Sequence, residues 1–577
     1  MRRRTWILTG LAVVLLFLAY AGWSVWQVRS DLTEARSSAA RLRVALVDGD
    51  QHRAEQALES LQDTSGAAAG RTDGPLWAVF GAMPGLGDDA RGVRTVASVL
   101  DDVSHDGLDP LVASADSLDS GTFTPVNGQI PVDSVAVVAK PLGAARDSFA
   151  AADKELGGVD SSGFTGAFGS AYDDLSGQIH RANKATAAAT TAAELLPGML
   201  GGDGPRNYLL IFQNNAEARS TGGLPGAATI MNTTDGKISI SKEARAPGFP
   251  ELAKPVLPLT KEENKIFFEQ LGTYFQDANF TPDFPRTADL MAARWKLETG
   301  QDLDGVVSVD PVAMGYLLEA TGPVTVDGVT LTGDNAADEL MNKAYLRLPD
   351  PMDQDRFFSA VSRTVFEKFS SGAGTPQVVL EGLARGAEER RLLVHSFDEA
   401  EQQRLAGTKI AGELPSVATA RPQVGVYMND GTGSKMSYYL DYDVAVRSEG
   451  CQDDAQKLAG EMTLSSNTPP NIKDVGVSVT GRGDEVVPRG NQLVIAHVYG
   501  PVDGSIDEVK LDGKKLDVTL EKHVGRDVAS MVFFFKPGQK RAMTWTMTTG
   551  AGQTEGTDVT VSPGVQPENE SSTAAGC

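Results

Sequence analysis

Arg206-Asn-Tyr-Leu-Leu-Ile-Phe-Gln-Asn-Asn-Ala-Glu-Ala-Arg-Ser-Thr-Gly-Gly-Leu-Pro-Gly226 passes abruptly from apolar to densely polar residues. Its first half, Tyr208 to Phe212, is an apolar run of the length a buried central strand needs. Its second half concentrates Asn214, Asn215, Glu217, Arg219, Ser220 and Thr221 before the flexible pair Gly222-Gly223, and reads as a loop leaving that strand. Two readings of the loop stand side by side. In one, Asn and Glu cap backbone groups of a tight turn and Gly supplies positive φ. In the other, amide, carboxylate, guanidinium and hydroxyl groups line an anion or sugar-phosphate pocket at a strand end, where α/β sheets usually hold ligands.

Working outward, strands alternate with helices. Ala227 to Asn232 pairs with Lys237 to Ile240 across the turn Asp235-Gly236. Phe284, Ala288, Met291 and Trp295 form an amphipathic helical stripe that stops at Thr299-Gly300. The strand Gly305 to Val309 leads to Asp310 as N-cap, Pro311 at the first helical position, and a helix to Ala320. A second hairpin turns at Asp327-Gly328, and helices over 335–346 and about 355–369 complete the unit. The alternation predicts an α/β sandwich over 205–370, followed by a charged helical connection over 371–420. Beyond Arg421, seven short apolar runs between turn residues, with no helical period, predict a β-sandwich over 421–563. Among those runs is Val475-Gly-Val-Ser-Val479. Residues 564–577 read as a disordered polar tail.

Upstream, Leu32, Ala35, Ala39, Leu42, Leu46, Ala54, Ala57 and Leu61 recur at close to helical spacing over 30–62. Similar patterns at 86–103, 136–155 and 165–196 make 30–200 a helical stalk or bundle. The fold class is therefore α+β and multi-domain. Thr5 to Val28 carries no charge, and at about 1.5 Å per residue such a helix crosses a hydrocarbon layer of roughly 30 Å. Arg2, Arg3 and Arg4 would stay cytoplasmic, Trp6, Trp23 and Trp26 suit the interfaces, and everything after Arg29 would lie outside. Residues 1–28 thus read as a single-pass membrane anchor. Ala19-Tyr20-Ala21 also satisfies the small-x-small rule for signal cleavage, although the apolar stretch runs past it to Trp26.

Composition excludes several classes. With 52 basic and 76 acidic residues the net charge is −24, which repels the phosphate backbone of nucleic acid. Hydrophobic residues make up 41% of the chain, enough for packed cores, so it is not a disordered polymer. The two cysteines, Cys451 and Cys577, allow one bridge in an oxidising compartment or two free thiols, and no cysteine-based zinc motif. HExxH, GxSxG, P-loop and GxGxxG signatures are absent, and the six histidines are scattered. Ser239-Ile-Ser-Lys242 satisfies S-x-x-K but sits in a strand pattern without its companion motifs.

What remains is cationic. Arg219 leaves the first strand, Arg286 opens a helix, Arg347 closes one, and Arg356 lies in the first turn of the next, in Asp353-Gln-Asp-Arg356. A guanidinium in a first turn is opposed by the helix dipole by about 0.3–1 kcal/mol, so an anion should compensate it. Asp353 and Asp355 can do so, as can a bound phosphate that also uses the free N–H groups of that helix end.

Asn207 through Gly223, Asp283-Phe-Pro-Arg286, Asp304-Gly-Val-Val-Ser-Val-Asp-Pro-Val-Ala313, Leu318-Glu-Ala-Thr-Gly-Pro-Val324 and Lys435-Met-Ser-Tyr-Tyr-Leu440 together resemble the bacterial membrane-protein family called domain of unknown function 4012 (DUF4012). That family carries no established activity. More distantly, Arg219-Ser220, the strand–helix element from Val306 to Val324, Tyr345-Leu-Arg347 and Asp353-Gln-Asp-Arg356 are similar to the LytR-CpsA-Psr phosphotransferases. Those enzymes move lipid-pyrophosphate-linked glycopolymers onto the cell wall of Gram-positive bacteria. The resemblance implies Arg219, Arg347 and Arg356 as catalytic anion clamps acting by charge stabilisation. It also implies Mg²⁺ as cofactor with Asp353 as an acidic ligand, and a polyprenyl-linked glycan or wall polymer as partner; the pocket reading of the polar loop and the cationic set give Asn214, Asn215, Glu217, Ser220, Thr221 and Arg286 as candidate substrate-binding residues. Thr221-Gly222 replaces the Asp that follows Arg-Ser in that family, and Pro349 and Ser359 replace the second arginines of its late motifs. Two functions stay open: an anchored extracytoplasmic glycopolymer transferase, or a non-catalytic envelope scaffold that binds glycan or protein.

Overall fold

The computed structural model describes residues 2–114, 128–244, 248–374, 376–472, 475–565 and 571–572; side chains before Tyr20 lie outside the described residues. The chain divides into two compact units, residues 1–124 with 131–198, and residues 125–130 with 199–577.

The first unit is helical, with principal helices Arg2–Val47, Gln51–Thr72, Gly87–Asp102, Val132–Gly157 and Gly166–Met199. The single helix expected over 30–62 is two. The chain breaks at Asp48–Asp50, and the Asp50 side chain accepts from the Arg53 N–H at 3.0 Å, capping the second helix. The alanines of the pattern let the pair close: Ala35, Leu42 and Ala45 pack with Ala54, Ala57, Leu58 and Leu61. A second apolar cluster joins Val96, Val99 and Val103 to Phe149, Leu156 and Tyr172. On the first helix Ala21, Ser24 and Val28 are buried, whereas Tyr20, Trp23 and Trp26 are 57%, 52% and 64% exposed. Among the described residues no helix is long and apolar enough to cross a membrane. Most side chains of the expected anchor over 1–28 lie outside the described residues.

The second unit begins with β1 (Arg206–Arg219), β2 (Gly222–Thr234), β3 (Lys237–Ala244) and β4 (Gly305–Val309), followed by the small hairpin of β5 (Val324–Val326) and β6 (Val329–Leu331), and by β7 (Leu392–Ser396). The main sheet has the order β3-β2-β1-β4-β7, with β1 and β4 parallel and the other pairs antiparallel. Alternation along β1 sends Leu209 and Ile211 into a core with Phe284, Ala288, Met291 and Trp295 of the helix Phe284–Thr299. Phe212 packs instead with Met314, Leu318, Phe357 and Val361, from the helices Pro311–Thr321 and Pro351–Ser370. Asp310 caps its helix as expected, accepting from the Ala313 N–H at 2.8 Å. The hairpins at Asp235-Gly236 and Asp327-Gly328 form as read.

The remaining strands are β8 (Gln423–Asp430), β9 (Leu440–Gln452), β10 (Ala455–Ser466), β11 (Gln492–Tyr499), β12 (Ser505–Leu511), β13 (Lys514–Leu516), β14 (Leu520–His523), β15 (Arg526–Phe535), β16 (Lys540–Thr548), β17 (Asp558–Val561) and β18 (Ser571–Ser572). They form two sheets, β14-β15-β11-β8-β17 and β13-β12-β16-β10-β9-β18, closed over Val426, Met428, Val444, Leu464, Val498, Phe533 and Trp545. The sequence reading differs here, and the strand expected from Met436 to Tyr442 starts only at Leu440, after a 3-10 turn over Met436–Tyr439. Strand β7 falls inside the stretch expected to be a helical connection. Val477–Thr480 is a short helix, not a strand. Strands such as β10 escape detection because one face is solvated, leaving Leu458, Met462 and Leu464 alternating with polar residues. Tyr427, Tyr499 and Val528 of the sandwich belong to the same apolar cluster as Trp295 and Phe284, so sandwich and main sheet share one core. Cys451, near the end of β9, is disulfide-bonded; Cys577 and most of the expected tail lie outside the described residues.

Candidate functional site

The polar segment expected to be a loop is strand. Strand β1 runs on to Arg219, with irregular pairing between Phe212 and Gln213 and between Asn214 and Ala218, and Ser220-Thr221 make the turn into β2. Both glycines of the turn are required. Gly222 has φ +138°, and a Cβ on Gly223 would collide with the Asn214 backbone. Tertiary packing extends the strand: Asn215, Glu217, Arg219, Ser220 and Thr221 are all buried, and their hydrogen bonds run mostly to other elements of the unit.

Each of them has at least one partner within the unit, although Asn215 Oδ1 and Arg219 Nε are buried without one. Asn214 Nδ2 donates to the Tyr345 hydroxyl at 2.7 Å, and Asn215 Nδ2 donates to Asp310 Oδ2 and to the Pro563 carbonyl, both at 3.0 Å. Glu217 is ion-paired with Lys435. Ser220 donates its N–H to Asn429 Oδ1 at 3.0 Å and its hydroxyl to the Phe280 carbonyl at 2.6 Å. Thr221 donates to Gln213 Oε1 at 3.2 Å, and the same oxygen accepts the Gly223 N–H at 2.8 Å. Arg391 Nη1 joins Asp310 to the Gly564 carbonyl, at 2.8 and 2.9 Å. Residues 214–223 therefore fasten the main sheet to the sandwich, through β8, the Lys435–Tyr439 segment and the backbone after β17. Burial disfavours charge on Lys435, yet the adjoining Glu217 carboxylate outweighs this and holds its pKa above the ordinary lysine value. Asp430, wholly buried beside Arg219, is pushed up to about 6 by desolvation.

Each of the three arginines has its own carboxylate partner. Arg219 Nη2 donates to Asp277 Oδ1 at 3.1 Å while its guanidinium lies 4.6 Å from the centre of the Phe280 ring. Arg347 donates to Glu339 Oε2 at 3.1 Å and sits over Phe357. Arg356 is paired with Asp353 in the same first turn, on an exposed surface. Among the described residues no hydrogen bond or ion pair of one is shared with another. Asp353 offers one carboxylate, already facing Arg356, and among the described residues no three His, Cys, Asp or Glu side chains gather as metal ligands.

Arg286 does line an opening. With Asp283, Glu263, Thr260 and the Lys522–Gly525 turn between β14 and β15, it borders a cavity of about 820 Å³. Its Nε donates to Glu263 Oε1 at 2.7 Å, Nη2 donates to Oε2 at 3.1 Å, and Nη2 also donates to the Pro258 carbonyl. Burial raises the Asp283 carboxyl to about 6, against the Leu414 N–H that donates to it at 3.0 Å. Burial lowers His523 to about 4, and its Nδ1 lies 2.9 Å from the Tyr499 hydroxyl. Sequence reading singled out Arg286 but missed Asp283, Lys435, Asp430 and Asp277 as partners. Asp283 and Lys435 do stand within the family-like motifs, which was the available signal.

Residues 203–345 match the model of a family described as "Protein of unknown function (DUF4012)", covering β1 to β6 and the helices between them. No curated protein and no solved structure matches the chain.

Proposed function

We propose that this protein is a membrane-tethered, extracytoplasmic cell-envelope scaffold that binds envelope glycan or protein without transferring glycopolymer. One observation carries the reading. Arg219, Arg347 and Arg356, which a transferase would aim at a lipid pyrophosphate, are each neutralised by a separate internal carboxylate. Arg219 is also sealed from solvent, and freeing it for a ligand would leave Asp277, whose side chain is 17% exposed, without its cation.

Two features support the location. Tyr20, Trp23 and Trp26 stay exposed at the end of the uncharged segment, where amphipathic aromatic rings favour a membrane interface. Cys451 is disulfide-bonded, which suits an oxidising compartment. In this reading the three N-terminal arginines lie in the cytoplasm and the bulk of the chain outside the membrane.

The test is reconstitution of the full chain with a polyprenyl-pyrophosphate-linked glycan, Mg²⁺ and a cell-wall acceptor. No transfer is expected. Turnover that disappears in Arg347→Ala or Arg356→Ala would overturn the reading and restore the transferase.

A further inference from the structure

The helix Lys261–Phe267 starts in a capping box, in which Thr260 and Glu263 exchange hydrogen bonds, and ends at Phe268 with φ +60° and ψ −179°. Glycine takes that conformation at little cost; a residue with a Cβ does not. Burial does not explain Phe268, because its ring is 64% exposed. The backbone around it is held firmly: Ile266 and Phe267 are anchored in the main core, and the Leu271 N–H donates to the Phe268 carbonyl at 3.3 Å. An aromatic ring is thus presented to solvent from a position where glycine would sit more comfortably. Strain kept without a packing return marks a position selected for something other than stability.

Phe268 borders a cavity of about 780 Å³, separate in its lining from the one beside Asp283. Tyr274, 39% exposed, is a second ring on it, and the Glu251 carboxylate shares the lining. Asn264, Glu269, Gln270 and Thr273 complete the polar lining. Two aromatic rings beside amides and carboxylates suit a ligand with apolar C–H faces and a rim of hydroxyls. The amides can donate and accept, and the carboxylates accept from hydroxyl donors. Among the described residues no lysine or arginine lines the cavity, and Glu251 and Glu269 would repel a phosphorylated or uronic-acid polymer.

We propose that the cavity beside Phe268 binds a neutral saccharide, with sugar ring faces against Phe268 and Tyr274 and hydroxyls bonded to Asn264, Gln270, Glu251 and Glu269. This rests on the scaffold reading and names its ligand class.

The experiment titrates the full chain in detergent micelles with chitotriose, cellotriose and maltotriose, and with trigalacturonic acid as an anionic control, by saturation-transfer NMR and calorimetry. At least one neutral trisaccharide should bind more tightly than the acidic one. Phe268→Gly and Tyr274→Ala should each weaken it by at least ~10-fold, equivalent to about 1.4 kcal/mol. Phe268→Gly should melt no lower than the parent, which separates a ligand-facing ring from a structural one.

The proposal fails if none of the neutral sugars binds by roughly 10 mM, equivalent to about 2.7 kcal/mol of binding. It also fails if both variants bind unchanged, if the acidic sugar binds best, or if Phe268→Gly melts well below the parent. Glycan transfer in the reconstituted assay would instead sink the scaffold reading and leave this binding result standing.

Discussion

Replacing Glu217 by Gln should cost this protein about 3–5 kcal/mol, because it leaves Lys435 charged and buried. The pair sits where β1 meets the segment after β8, with 9% of the Glu217 side chain and 17% of the Lys435 side chain exposed. Water therefore cannot take over from the lost carboxylate. The Tyr345 ring, 4.9 Å from the Lys435 ammonium, offers a partial substitute of about 0.5–2 kcal/mol, which places the expected loss at the lower end. Removing both charges in Glu217→Gln/Lys435→Met strands neither, so the double variant should recover about 2 kcal/mol or more relative to the sum of the singles. Raised above its ordinary value, the Lys435 pKa contributes stability in full below the unfolded value of about 10.4; that stability is lost as pH rises through the folded value. The parent should therefore lose stability in strong alkali, and the double variant should not show that component. Denaturant unfolding of the four proteins gives the cycle. A single-variant loss under about 1 kcal/mol, or coupling within about 0.5 kcal/mol of zero, would refute the view that this buried ion pair fastens the two layers.

The Asp283 carboxyl, raised to about 6 by burial, favours its protonated form in the folded chain, so stability is lost as pH rises from about 4 to about 6. Asp283→Asn keeps an acceptor for the Leu414 N–H and should gain about 1–3 kcal/mol relative to the parent between pH 4 and pH 7; unfolding at the two pH values checks it, and a pH-independent difference would count against it. His497 and His523, both lowered to about 4 by burial, act oppositely: their contribution is present above about 6.5 and is lost as pH falls toward 4, so His523→Gln should flatten acid unfolding followed by fluorescence. Gly223→Ala should destabilise by about 2 kcal/mol or more, because the new methyl meets rigid backbone at Asn214; a melting point within a degree or so of the parent would contradict the turn geometry. Phe268→Gly relieves about 1–3 kcal/mol of backbone strain against about 0.5–1 kcal/mol of added chain entropy, so its unfolding free energy should be unchanged or higher.

Local chemistry was legible in the sequence wherever a short segment decides its own shape. Apolar spacing marked the helices Phe284–Thr299 and Gly166–Met199, Asp310-Pro311 marked a helix start, and Asp235-Gly236 and Asp327-Gly328 marked hairpins. Composition showed that the chain carries enough apolar residues for packed cores. Tertiary structure decided what the charged residues do, because a guanidinium carries no sign in the sequence of which carboxylate will meet it. Arg219 meets Asp277, and Glu217 meets Lys435 more than two hundred positions away, so a segment rich enough in polar groups to resemble a ligand loop is a buried strand fastening two layers. The same reason hid Phe268. Its residue type is ordinary, and only the backbone angle forced by its neighbours, together with the cavity beside it, sets it apart.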